Sequence, residues 1–137
     1  MATLVIEDGT GVIDANSYMT VQDFKDYFDC IGADVSGITD DQITAGLIDA
    51  GSNLLEYCYS YKGEISFPET PQALSFPREG LKDRNGCEIE KTQIPGEVIK
   101  AQAELARSSA LAIIAGGRIA FSDSQLILGL LRKINLM

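Results

Sequence analysis

The stretch Thr39–Tyr61, TDDQITAGLIDAGSNLLEYCYSY, decides the fold class. Thr39 followed three residues later by Gln42 is a capping box, and Asp40 and Asp41 fall in the first turn, where the helix dipole favours negative charge. Ile43, Leu47, Ala50, Leu54, Tyr57 or Cys58, and Tyr61 then recur at helical spacing, while Ile48 and Leu55 widen the stripe toward a second neighbour. A helix with two packing faces belongs at the centre of a mainly α domain. Gly46 and Gly51 each cost about 1 kcal/mol relative to Ala inside a helix, so both predict that another backbone passes close by.

Toward the N-terminus, Thr20 with Asp23 resembles a capping box with the shorter acid. Val21, Phe24, Tyr27, Phe28 and Ile31 follow at helical spacing, and Gly32 supplies a stop. Before that helix, the β-prone TLVI (3–6) precedes EDGTGVIDANS (7–17), rich in turn formers, so a short strand leads into an ordered loop. Toward the C-terminus, Pro68, Pro71, Pro77 and Asn85-Gly86 break the helical pattern over residues 62–94. Within this excursion GLKDRNGCEIE (80–90) sets Leu81 and Asp83 opposite Cys87 and Ile89, the pattern of a small β-hairpin. The long loop is expected to be ordered by contact with a neighbouring copy or a partner.

Pro95 suits the first position of a third helix, PGEVIKAQAELARSSALAIIAGG (95–117), whose alanines and serines from Ala101 to Ala112 give it a thin surface. Ser122 with Gln125 forms a last capping box for SDSQLILGLLRKINLM (122–137). That segment is apolar almost all round at Leu126, Ile127, Leu128, Leu130, Leu131, Ile134 and Leu136, with Arg132 and Lys133 near its end, so it needs cover, either by folding back onto its own domain or by insertion against a neighbouring subunit or a partner. The expected fold is mainly α: a small bundle of three to four helices with a short N-terminal strand and a long loop carrying a β-hairpin. Residues 1–121 form the helical domain and 122–137 an interaction element.

At 137 residues, 45% apolar and 23% charged, the chain has the composition of one folded domain. Twenty acids against eleven bases leave a net charge of −9, which disfavours a phosphate-binding surface. The charge is uneven: residues 1–60 hold eleven acids and one base, Lys25, whereas residues 61–137 hold nine acids and ten bases. This asymmetry implies either a solvated acidic face or copies that meet head to tail, acidic side against neutral or basic side.

The absence of His removes the commonest general base and metal ligand. Cys30, Cys58 and Cys87 lie far apart with no Cys-x-x-Cys pair, as expected of reduced thiols. No glycine-rich loop has phosphate-binding context, and Asp83 to Gly86 lacks the remaining acids of a calcium loop. The expectation is a non-enzymatic protein with no cofactor or metal. The N-terminus lacks a basic region before an apolar stretch, and no apolar run reaches the ~18 residues of a membrane span, so the chain is expected to be made and used in the cytosol without membrane contact.

Three stretches together, VIEDGTGVIDANSYMTV (5–21), QALSFPREGLKDRNG (72–86) and IPGEVIKAQAELA (94–106), resemble the head–tail adaptor proteins of tailed bacteriophages. These connector or head-completion proteins are also labelled DnaT-like single-stranded-DNA-binding proteins. The resemblance implies a small helical subunit of the virion head–tail interface. It would form a ring, commonly of twelve copies, beneath the portal protein and link it to a tail, stopper or nozzle protein, with DNA only passing through. The interaction residues expected on this reading are Leu126, Leu128, Leu130, Leu131, Arg132, Lys133 and Ile134 in the C-terminal segment, and Phe76, Pro77, Arg78, Asp83, Asn85 and Gly86 in the loop. The alternative label implies a replication accessory protein that binds single-stranded DNA.

Overall fold

Two of the three expected capping boxes form, and the third, Ser122 with Gln125, lies outside the described residues. The Thr20 hydroxyl accepts the Asp23 N–H and the Asp23 carboxylate accepts the Thr20 N–H, each at 3.1 Å, starting α1 (Val21–Cys30). Thr39 and Gln42 repeat the exchange at 3.2 and 2.9 Å and start α2 (Asp40–Ile48). These bonds satisfy amide donors that a helix start otherwise leaves open. The structure, a computed structural model, describes residues 2–57 and 60–117.

On α1 the apolar spacing buries Phe24 and Phe28, whose rings meet edge to face with centroids 4.8 Å apart. Tyr27 stands against Phe28 and donates its hydroxyl to Glu104 of the last helix at 2.9 Å. Burial, reinforced by that carboxylate, pushes the Tyr27 hydroxyl up to about 12.

The central helix is longer than α2 but does not keep one winding. After Ile48 it passes into a π-helix, Asp49–Leu54, and returns to a short α3, Leu55–Tyr57. The single α-helix expected to about Tyr61 is corrected: Tyr61 lies beyond the helix, and its hydroxyl donates to the Leu55 carbonyl at 2.9 Å. The wider turn spreads successive side chains over a smaller arc, so Asp49, Ala50 and Gly51 all face inward. There Asp49 accepts a 2.6 Å hydrogen bond from the Ser109 hydroxyl.

The last helix, α4 (Gly96–Ile114), has Pro95 at the cap and not at its first position, so it starts one residue later than expected. It runs about 28 Å antiparallel to the central helix, because Gly46 lies beside Ala106 while Gly51 lies beside Gln102. The two interior glycines are the close approaches their sequence positions predict. A Cβ at Gly46 would sit 2.6 Å from the Ala106 carbonyl oxygen, and one at Gly51 would sit 2.7 Å from the Asn16 carbonyl oxygen. Gly46→Ala is therefore expected to destabilise the fold. Forcing α4 outward costs about 1–3 kcal/mol and outweighs the ~1 kcal/mol gained in helix propensity. A lower urea midpoint with unchanged slope is the measurement; a higher midpoint would show that α4 yields freely.

The expected N-terminal strand is reduced to one parallel bridge between Ile6 and Ser17, flanked by Glu7 N–H to Ser17 O and Asn16 N–H to Val5 O, both 2.9 Å. The hairpin at 80–90 forms as expected. Asp83 N–H donates to Cys87 O at 2.8 Å, Ile89 N–H donates to Leu81 O at 3.0 Å, and Lys82 pairs with Glu88 between them. A second antiparallel pair joins β1 (Glu64–Ile65) to β2 (Arg78–Glu79), with Glu64 opposite Glu79 and Ile65 opposite Arg78. Two-residue strands are too short to show alternation in a sequence. The result is a mainly helical small domain: α1, the central α2–π–α3 run and α4, with a two-stranded sheet in the long loop.

Candidate functional site

The long loop packs on its own domain. Phe76 lies between Tyr18 and Tyr61, with centroids 6.3 and 4.7 Å away, and its N–H donates to the Tyr18 hydroxyl at 3.2 Å. Burial holds that hydroxyl well above the usual tyrosine range. Phe76 and Pro77 are both buried, so they belong to the core and not to an exposed contact surface. Arg78 points back as well: its guanidinium donates to the carbonyls of Lys62 (2.9 Å), Gly63 (2.8 Å) and Ser75 (3.2 Å) and lies 6.0 Å from the Tyr61 ring centroid. Glu56 on α3 accepts from the Ser75 N–H and hydroxyl, tying the loop to the helix. Burial raises the Glu56 carboxyl above its ordinary value against the opposing pull of Ser75 and Arg78.

The rest of the expected loop set is at the surface. Asp83 is half-buried, and its carboxylate accepts the Asn85 and Cys87 N–H groups at 2.8 and 3.0 Å; Asn85 and Gly86 form the exposed hairpin tip. Two cations lie over half-buried rings at this end of the molecule, Arg78 over Tyr61 and Lys91, 5.9 Å from the Phe67 centroid. Exposed Lys62, Lys82 and Arg84 share the loop with exposed Glu64, Glu69, Glu79, Glu88 and Glu90, so the surface here is mixed in sign.

The opposite end is acidic and apolar. The antiparallel packing brings Asp41, Gln42 and Ala45 at the start of α2 beside Ala110, Ile113 and Ile114 at the end of α4, around a depression of about 270 Å³. Leu111, Ile113 and Ile114 remain 44, 44 and 50% exposed. Next to it, between α1 and α2, a hollow of about 590 Å³ has Asp26, Asp29, Asp34 and Asp40 in its walls. Lys25 forms a 2.7 Å ion pair with Asp40 there, an exposed contact worth about 0–1 kcal/mol. The backbone and hydroxyl of Ser36 hold the Asp34 carboxyl below its usual range.

Among the described residues no cluster of His, Cys, Asp and Glu could hold a metal ion, and no helix is long and apolar enough to cross a membrane. Cys30 and Cys87 are exposed thiols. Cys58 and the C-terminal interaction set, Leu126 to Ile134, lie outside the described residues. The exposed end of α4 is not part of the sequence reading, although Leu111, Ile113 and Ile114 already depart there from a one-sided stripe.

Residues 2–116 match the family described as "Putative DnaT-like ssDNA binding protein". The chain belongs to this family. No curated protein and no solved structure matches it. The DnaT-like match takes in both ends of the molecule, from the Glu7 loop through the hairpin to the exposed tip of α4, and stops before the apolar C-terminal segment.

Proposed function

We propose that this DnaT-like protein is a structural assembly subunit, a head–tail adaptor that forms a ring beneath a phage portal and links it to the tail. The observation that carries the reading is the difference between the two ends of the α2–α4 pair, with the contiguous exposed Leu111, Ile113 and Ile114 beside acids at one end and a surface of mixed charge at the other. Adjacent exposed aliphatics mark a protein-docking site. An acidic wall suits a channel through which DNA passes without being held. This role needs no catalytic group and no cofactor.

The family's description favours a second reading over the first, binding of single-stranded DNA. The cation-over-ring contacts at Phe67 and Tyr61 favour it, since strand binders combine bases with stacking surfaces. Against it stand the net charge of −9 and the engagement of Arg78 by three backbone carbonyls.

The expected result is weak binding of labelled single-stranded oligonucleotides at physiological salt, with assembly on portal protein visible by electron microscopy. Submicromolar oligonucleotide binding with a steep salt slope would establish the second reading and displace the first.

A further inference from the structure

We infer that the depression between the start of α2 and the end of α4 is a seat between copies of this chain, filled by residues 122–137 of a neighbouring copy. The inference rests on the assembly reading above and names the surface through which it operates.

Three observations converge on that occupant. The floor of the seat is apolar, formed by Ala45, Ala110, Ile113 and Ile114, and the two isoleucines are about half exposed. Its rim is acidic: Asp41 lines it, and the neighbouring hollow adds Asp26, Asp29 and Asp34. Lys25, the one base among the first sixty residues, is already paired with Asp40, so the rim keeps a negative excess.

The segment 122–137 has the complementary composition, with two bases, Arg132 and Lys133, against one acid, Asp123, and leucines and isoleucines over most of its length. Its apolar body fits the floor, and Arg132 and Lys133 fit the rim. The last turn of α4, Ile113 and Ile114, lines the seat, and the described chain ends three residues later at Gly117. A depression of about 270 Å³ can cover only part of a segment whose apolar residues run along most of its length. A segment bridging two copies has two surfaces to bury, which favours a neighbour over the parent chain.

The test uses full-length protein and two paired variants. Ala45→Arg with Ile114→Asp spoils the seat, and Leu128→Asp with Leu131→Asp spoils the segment. Mass is followed against concentration by light scattering, with circular dichroism as the folding control. Wild-type mass should rise with concentration, and each variant should associate about tenfold or more weakly. Mixing the two variants should restore pairs, because each supplies what the other lacks.

Variants that assemble like wild type would overturn the seat and leave the assembly reading standing. A mixture that stays monomeric while wild type assembles would overturn the exchange between copies. Wild type that remains monomeric up to its solubility limit would overturn the seat and the self-assembly it serves. Should the Leu128/Leu131 variant lose its helical signal, Ala45→Arg alone, at an exposed position, decides the matter.

Discussion

Glu7→Ala is expected to lower the free energy of unfolding by roughly 3–4 kcal/mol, a large share of the 5–15 kcal/mol typical of a domain. Glu7 is 1% exposed, and its carboxylate accepts three backbone amides: Gly9 and Gly11 at 3.0 Å each on one oxygen, and Val12 at 2.8 Å on the other. Hydrogen bonds to a charged acceptor contribute about 1.5–3 kcal/mol each, though three sharing one group do not add fully.

Water cannot easily replace the carboxylate. The loop lies beneath Phe67, whose Cβ is 2.6 Å from where a Gly11 side chain would begin, and against the Thr92 carbonyl oxygen, which a side chain at Gly9 would strike. Glu7→Gln should cost less, because its amide oxygen still accepts while its NH₂ faces donors. Urea unfolding of the three proteins, with amide exchange at Gly9, Gly11 and Val12, gives the comparison. An alanine variant as stable as wild type would show that the loop is held by Phe67 alone.

The second large effect is expected at Gln102, which is fully buried in α4. Its side-chain oxygen accepts the Tyr18 N–H at 2.9 Å, and its nitrogen donates to the Ser17 hydroxyl at 2.8 Å and the Leu47 carbonyl at 3.0 Å. One amide thus joins the N-terminal segment, the central helix and α4. Gln102→Leu keeps the volume but strands the Tyr18 N–H and removes a donor from Leu47, a loss of about 2–4 kcal/mol.

Gln102→Glu separates hydrogen bonding from shape. A buried carboxyl beside the Leu47 carbonyl has its pKa raised, so the deficit relative to wild type should shrink below the ordinary glutamate pKa and reach its full size once pH rises past the raised one. Thermal melts across that window are the check. A deficit independent of pH would mean that the site relaxes to admit water.

The sequence alone determined the features that depend on residues within one or two turns of each other. Thr20, Thr39 and their partners three residues on set two helix starts, because a capping box is closed by neighbours. The Asn85-Gly86 turn set the hairpin, and Gly46 and Gly51 marked the faces where α4 and the N-terminal segment pass, because a glycine inside a helix is costly without such a neighbour.

Only the tertiary structure decided what depends on distant partners. Gln102 reads as a polar residue on a thin helix, and its role arises from contacts 84 and 55 positions away. Phe76, Pro77 and Arg78 sit in a loop whose local pattern suggests exposure, and they are drawn inward by Tyr18, Tyr61 and the Lys62–Gly63 carbonyls. The π-helix at Asp49–Leu54 leaves no periodic mark in its own residues, and its inward positions meet partners distant in sequence: Asp49 bonds Ser109, and Gly51 lies against the Asn16 carbonyl. Local spacing fixes which segments become helices. Which polar groups those helices trap, and which apolar ones they leave uncovered, is fixed only when the segments meet, because desolvation depends on every surface that closes around a group.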